Sequence, residues 1–163
     1  MDVARQLEVT VWDAADVDGL SEGDLRQLTG TDAESWSGLT LRIRDRHLVI
    51  FNPAQSRPRI NSVLMHELSH IMLGHELASA GMTCDGHLIP SNYDQDQEDE
   101  ADWLGGTLLL PRPALLAIRH AGLADDQARQ EYQVSKEMLA WRLRMTGVDY
   151  QIAHARNKRA RFA

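Results

Sequence analysis

The sequence predicts an α+β fold, a small antiparallel sheet packed on a helical body. Three observations point there. β-rich runs crowd into the first third of the chain, at residues 7–12, 39–43 and 47–51. Two longer stretches then carry helical signals, one through Leu64, Leu68, Ile71 and Met72 and one running up to Leu110. Past Pro111 the remaining pattern is helical. At 163 residues the chain is sized for one domain with a real core.

Taken in order, residues 7–12 alternate well enough for a strand, and 13–19 read as loop. Residues 22–28 suit a short helix that ends at Gly30, with loop again over 31–38. The runs 39–43 and 47–51 are joined by Arg44-Asp45-Arg46, which reads as a hairpin. Pro53 and Pro58 bracket the connection into the first long helix. Asn61 or Ser62 can cap its start, and Gly74 falls at its end. From there to about Tyr93 the chain reads as irregular, with Gly81, Gly86 and Pro90 as breakers. The second long helix starts at Asp94 or Gln95 and stops at Pro111. Helices follow over 113–121, 125–133 and 135–146, with a weaker piece from Val148. No internal repeat or low-complexity segment is visible.

The bulk numbers narrow the function classes. Apolar residues at 43% and charged residues at 25% are the balance of an ordinary soluble globular chain. A single cysteine, Cys84, rules out an internal disulfide and suits a reducing cytoplasm. Residues 1–7 have no apolar core of the kind a signal peptide needs, and the longest apolar run, near 104–110, is too short to span a bilayer. A cytoplasmic location without membrane anchoring is therefore expected. The net charge of −7 is unevenly spread: residues 142–163 hold six Lys/Arg against one acid, which leaves −12 on the rest. That acidic body argues against nucleic acid as the main ligand. The basic end, with Arg156, Lys158, Arg159 and Arg161, reads as a solvated, frayed tail.

The most specific signal is His66-Glu67-Leu68-Ser69-His70 inside the first long helix. Positions i and i+4 lie about 40° apart around a helix axis, so both imidazoles leave one face. Glu67 projects about 100° from His66, where it can reach a metal-bound water without ligating the metal. This is the H-E-x-x-H zinc-peptidase arrangement, two ligands and a general base in one and a half turns. The bland alternative is an amphipathic helix with two solvated histidines.

A catalytic zinc needs a third protein group and one position open for water. Glu98-Asp99-Glu100-Ala101-Asp102 opens the second long helix. Glu98 and Asp102 share a face there. Glu98 can ligate the metal while Asp102 accepts the N–H of a ligating histidine, and Ala101 is small enough for the two helices to approach. Glu100 is the rival ligand, but its i+4 partner, Leu104, offers no such acceptor. The same acids also suit a solvated helix N-terminus, where the macrodipole favours them.

Assembled, these motifs resemble the ImmA/IrrE family of metallopeptidases. The resemblance runs from the hairpin and Asn52-Pro53 through His66-Glu67-Leu68-Ser69-His70 and Leu73-Gly74-His75. It resumes at Glu98-Asp99-Glu100-Ala101-Asp102 and ends with Leu108-Leu109-Leu110-Pro111. It implies a cytoplasmic, zinc-dependent endopeptidase with a gluzincin-like site, in which His66, His70 and Glu98 hold Zn2+ and Glu67 is the base. It also implies a protein substrate, a helix-turn-helix transcriptional repressor of a mobile element or stress regulon. The chain departs from the family pattern in three places. Ser69 stands where glycine is common, Asp102 replaces a common asparagine, and Gly105-Gly106 stands where small alanines are usual. The glycines are expected to loosen their helix by up to about 1 kcal/mol each.

The expected organisation is a single domain: a peptidase core over 1–122, a helix-turn-helix-like pair over 123–146 and the basic tail over 147–163. An extended substrate is expected to add to the edge of the strand at 47–51. His75, His87 and Tyr93 are the candidates for stabilising the oxyanion. Cys84 as a fourth ligand would close the site and make it structural. In the helical pair, Val134, Met138, Trp141 and Met145 form the expected inward stripe, leaving Lys136, Ala140 and Arg144 outward with Glu137 nearby. That outward face is thin for reading bases. A DNA-binding or protein-interaction regulator with a non-catalytic zinc site is the competing reading.

Overall fold

The structure, a computed structural model, describes residues 2–76, 80–82, 88–90 and 94–160. The architecture is α+β. A short helix α1 (Asp2–Gln6) leads into strand β1 (Thr10–Asp13), and helix α2 (Glu22–Arg26) continues into a π-helical turn over Gln27–Thr31. Strands β2 (Gly38–Ile43) and β3 (Arg46–Phe51) form the expected hairpin, tightened to a two-residue link in which Arg44 takes a left-handed φ of 59°.

The sheet differs from the expectation in one respect. It is mixed, not antiparallel throughout, with strand order β1-β3-β2 and β1 parallel to β3 from Thr10↔Leu48 to Asp13↔Phe51. Alternation along a strand fixes which side chains face the core. It carries no information about the neighbour or its direction. Here the long connection between β1 and β2 lets β1 lie along the far edge of β3.

Helix α3 (Arg57–Leu73) packs beneath the sheet. Val49, Ile60, Leu64 and Leu68 are buried together with Ala4 and Val9, so α1 and β1 close one end of this first core. The helix begins earlier than the sequence suggested. Ser56 is its N-cap, and Asn61 and Ser62 lie within it. Pro58 belongs to the first turn, where its missing N–H costs no helical bond. Gly74 ends the helix at φ 70°, and the chain folds back so that the His75 N–H donates to the His70 carbonyl at 3.0 Å. The stretch read as irregular contains a small hairpin, β4 (Ala80–Met82) with β5 (Leu88–Pro90).

Helix α4 (Gln95–Leu109) lies against α3, capped by the Asp94 carboxylate, which accepts from the Asp96 N–H at 3.0 Å. Ala101 is fully buried in this contact. A Cβ on Gly105 would sit 3.2 Å from the Met65 and His66 backbone, and one on Gly106 would meet the Trp141 ring at 2.2 Å. The two glycines are therefore points of close approach, not loose spots in the helix.

Helices α5 (Arg112–His120), α6 (Asp125–Tyr132), α7 (Lys136–Thr146) and α8 (Val148–Ala160) build a second core around Leu110, Leu115, Ile118, Leu139 and Val148. Arg119 ties three of them, pairing with Asp125 and Asp149 at 2.6 Å each. The weaker helical piece expected from Val148 is α8, helical to Ala160, with Val148 and Ile152 buried. The inward face of α7 also differs from the expected stripe. Leu139, Arg142 and Leu143 are buried, whereas Met145 is exposed. Arg142 donates from Nε to the Leu110 carbonyl, and its guanidinium lies over the Trp103 and Trp141 rings. A guanidinium with such partners takes an inward position that a hydrophobicity pattern assigns to solvent. Among the described residues no helix is long and apolar enough to cross a membrane.

Candidate metal centre

Two helices and one strand meet at the open end of the α3–α4 contact. His66 and His70 project from one face of α3, as a four-residue spacing requires, with their Nε2 atoms 3.0 Å apart. Glu98, in the first turn of α4, places Oε2 3.2 Å from His66 Nε2 and Oε1 3.6 Å from His70 Nε2. These three donors can hold a metal ion. Tetrahedral zinc, with bonds of about 2.0–2.2 Å, sets its ligand atoms about 3.3–3.6 Å apart. The separations of 3.0, 3.2 and 3.6 Å lie within about 0.3 Å of that range. Among the described residues no fourth His, Cys, Asp or Glu joins the three.

The far nitrogens of both rings are engaged. His66 Nδ1 lies 2.8 Å from Asp102 Oδ1, and an Nδ1–H there donates to the carboxylate. His70 Nδ1 lies 2.9 Å from His75 Nδ1, and His75 Nε2 lies 3.0 Å from Glu100 Oε2. Burial holds the His70 imidazole below its ordinary pKa; the neighbouring His66 adds to this and Glu98 opposes it. The neutral ring that results is the form able to ligate a metal.

Glu67 lines the cleft beside the triad on the side of the sheet, where the Thr40 hydroxyl donates to its Oε2. Thr40 is held in place from behind. The buried Asn52 side chain donates to the Ala33 carbonyl at 2.8 Å, and its backbone N–H donates to the Ser37 carbonyl at 3.0 Å, fixing the entry into β2. A cleft of about 210 Å³ opens over the triad, walled by Leu39 and Thr40 on one side and by Asp94 and Gln97 on the other.

The structure thus brings Glu67, His66, His70, Glu98 and Asp102 together, and it moves two expected features. The 47–51 strand cannot receive an extended substrate at its edge, because β3 is central and paired on both sides. The edge strands of the sheet are β1 and β2, and it is β2 whose Gly38, Leu39 and Thr40 line the cleft. His75 is not placed to stabilise an oxyanion, since both its ring nitrogens are taken and it stands behind His70. The other two candidates, His87 and Tyr93, lie outside the described residues, as does Cys84.

Sequence reasoning missed Thr40, and it missed Glu100 as a partner for His75. The one available signal for Thr40 was a lone hydroxyl in an otherwise apolar run, Leu39-Thr40-Leu41. For His75, the signal was the glycine just before it, which ends the helix and invalidates helical angles beyond that point.

No curated protein matches the chain significantly. Residues 27–144, from the turn after α2 to the last turns of α7, match peptidase family M78, the IrrE N-terminal-like domain. The match takes in all of the residues just described and more than two thirds of the sequence, and the chain belongs to that peptidase family.

Proposed function

We propose that this chain is a zinc-dependent endopeptidase in which His66, His70 and Glu98 hold the metal and Glu67 is the general base. The observation that carries the reading is the convergence of three donor groups, the two imidazole Nε2 atoms 3.0 Å apart with one Glu98 oxygen 3.2 Å from His66 and the other 3.6 Å from His70, beside a carboxylate that is not needed as a ligand. Zinc at such a site polarises a carbonyl and lowers the pKa of water towards neutrality.

The chain's own residues supply the remaining steps. Glu67 takes a proton from the attacking water and passes it to the leaving amine. The Thr40 hydroxyl holds Oε2, which leaves Oε1 for the water. The free edge of β2 offers main-chain donors and acceptors to an extended substrate, and the half-exposed Leu39 offers it apolar contact. Asp102 keeps His66 in the tautomer with a bare Nε2. The proposed substrate is a helix-turn-helix repressor, on the strength of the ImmA/IrrE resemblance, and the lone cysteine suits a cytoplasmic setting. The helical pair α6–α7 is proposed to close the second core and not to read DNA. The inward residues of α7 are spent on packing, and its exposed face shows Lys136 and Arg144 beside the acidic Glu137.

The test pairs the wild-type chain with Glu67→Gln, incubated with a repressor encoded beside its gene. Cleavage is expected only from the wild type, with equal zinc content in both. If the variant cuts as well as the wild type, Glu67 is not the base. If both bind zinc and neither cuts any neighbouring repressor, the substrate assignment fails.

A further inference from the structure

The two histidines of the triad are supported differently. His66 meets the Asp102 carboxylate directly, whereas behind His70 stands a second imidazole and only then a carboxylate. We infer that His75 and Glu100 form a two-residue support that fixes His70 in the tautomer presenting its Nε2 lone pair to the metal. The inference rests on the metal reading of the triad.

The proton assignment follows from the contacts. Two nitrogens at 2.9 Å, His70 Nδ1 and His75 Nδ1, share one hydrogen, so one of them donates and the other accepts. If His75 donated, its Nε2 would be bare and would face the Glu100 carboxylate at 3.0 Å, a lone pair against an anion. His70 would then carry its own proton on Nε2, aimed at His66 and Glu98. If His70 donates, both contacts behind it are satisfied, since His75 accepts at Nδ1 and donates from Nε2–H to Glu100, and the bare Nε2 atoms of His70 and His66 then face each other and Glu98 in a cluster that a cation satisfies. Glu100 therefore selects the arrangement that leaves His70 Nε2 free, and it does so through the intervening ring. His75 is well placed for this task. Its side chain is only 7% exposed, and the backbone reversal at Gly74 ties its N–H to the carbonyl of the residue it supports. Glu100 also lies in the same stretch of α4 as Glu98, so the contact fastens the third ligand's helix to the end of α3.

Outer hydrogen bonds of this kind typically account for 10–100-fold in metal affinity. The experiment measures zinc dissociation constants of the full chain by competition with a chromophoric chelator. A second reading comes from histidine 15N shifts of the metal-free protein, which report the His70 tautomer. Glu100→Ala is the primary variant, since this carboxylate is largely exposed and its loss leaves no buried gap. The expected result is about a 10–100-fold weaker zinc complex, an unchanged melting temperature for the metal-free form and a mixed tautomer at His70. His75→Phe, which keeps a ring without an acceptor, should weaken zinc at least as much, and His75→Asn, whose carbonyl can accept from His70, should restore most of the affinity. Wild-type affinity in Glu100→Ala, with His70 still protonated at Nδ1, overturns the inference while the metal reading stands. A wild-type chain that takes up no zinc sinks the metal reading and this inference with it.

Discussion

Glu67 can serve as a base only if its carboxylate is held towards the cleft, and a single hydroxyl does most of the holding. Thr40 donates to Oε2 across 27 positions of sequence, from the edge strand to the helix. A hydrogen bond to a charged acceptor is worth about 1.5–3 kcal/mol. Thr40→Val keeps the shape and removes the donor. It should lower kcat/KM by about tenfold or more, mainly in kcat, with zinc content unchanged. Thr40→Ser should retain most of the activity. Steady-state kinetics on a cleavable substrate check this, and equal rates in the valine variant would remove Thr40 from the machinery. The contrast with the triad shows what a sequence can carry at this scale. His66 with His70, and Glu98 with Asp102, each share a helix face through i to i+4 spacing, a local rule, and the two pairs then need only the packing of α3 on α4 to meet. Thr40 depends on a strand lying over a helix. His75 depends on the helix ending one residue earlier, at Gly74, after which helical spacing no longer places a side chain.

Between elements, the decisive contact is α3 against α4, since it sets the distance from Glu98 to the two imidazoles. Two adjacent glycines on α4 serve different neighbours. Gly105 faces the α3 backbone at Met65 and His66, which cannot yield cheaply, while Gly106 admits the Trp141 ring of α7. Gly105→Ala should push α4 outward by a few tenths of an ångström and weaken zinc binding. Gly106→Ala should instead displace Trp141, costing about 1–3 kcal/mol by overpacking with up to about 1 kcal/mol returned by helix propensity. Urea unfolding and tryptophan fluorescence should move in the second variant, and zinc affinity in the first. If both variants behaved alike, the separate roles of the two positions would be wrong. Helix C-terminal ends were legible here because Pro111, Gly74, Gly122 and Gly147 punctuate the chain. The sheet's mixed pairing and the β4–β5 hairpin were not, because strand direction and partner are settled by tertiary contact. The inward face of α7 was misjudged because a hydrophobic pattern has no way to score a buried arginine stacked on tryptophans.

Across the whole molecule, a metal held by the triad would join two cores. The first is built on α1, β1, β3 and α3, and the second on the helices from the end of α4 onward. His66 and His70 stand on α3 of the first, while Glu98 stands on α4, which runs from the triad down to Leu110 in the second core. A bound ion therefore acts as a clamp as well as a reagent, stabilising the folded state by mass action. Zinc at 100 times its dissociation constant contributes about 2.7 kcal/mol. For a chain of this size each kcal/mol is worth about 2–4 °C, so a chelator should lower the melting temperature by about 5–10 °C. Glu67→Gln should show the same drop, because the base is not a ligand. Glu98→Ala should melt near the chelated wild type and respond little to the chelator. Calorimetry of the three proteins with and without chelator separates the roles. A full chelator response in Glu98→Ala would mean that the ion is held without α4, and that the coupling of the two cores through the metal does not exist.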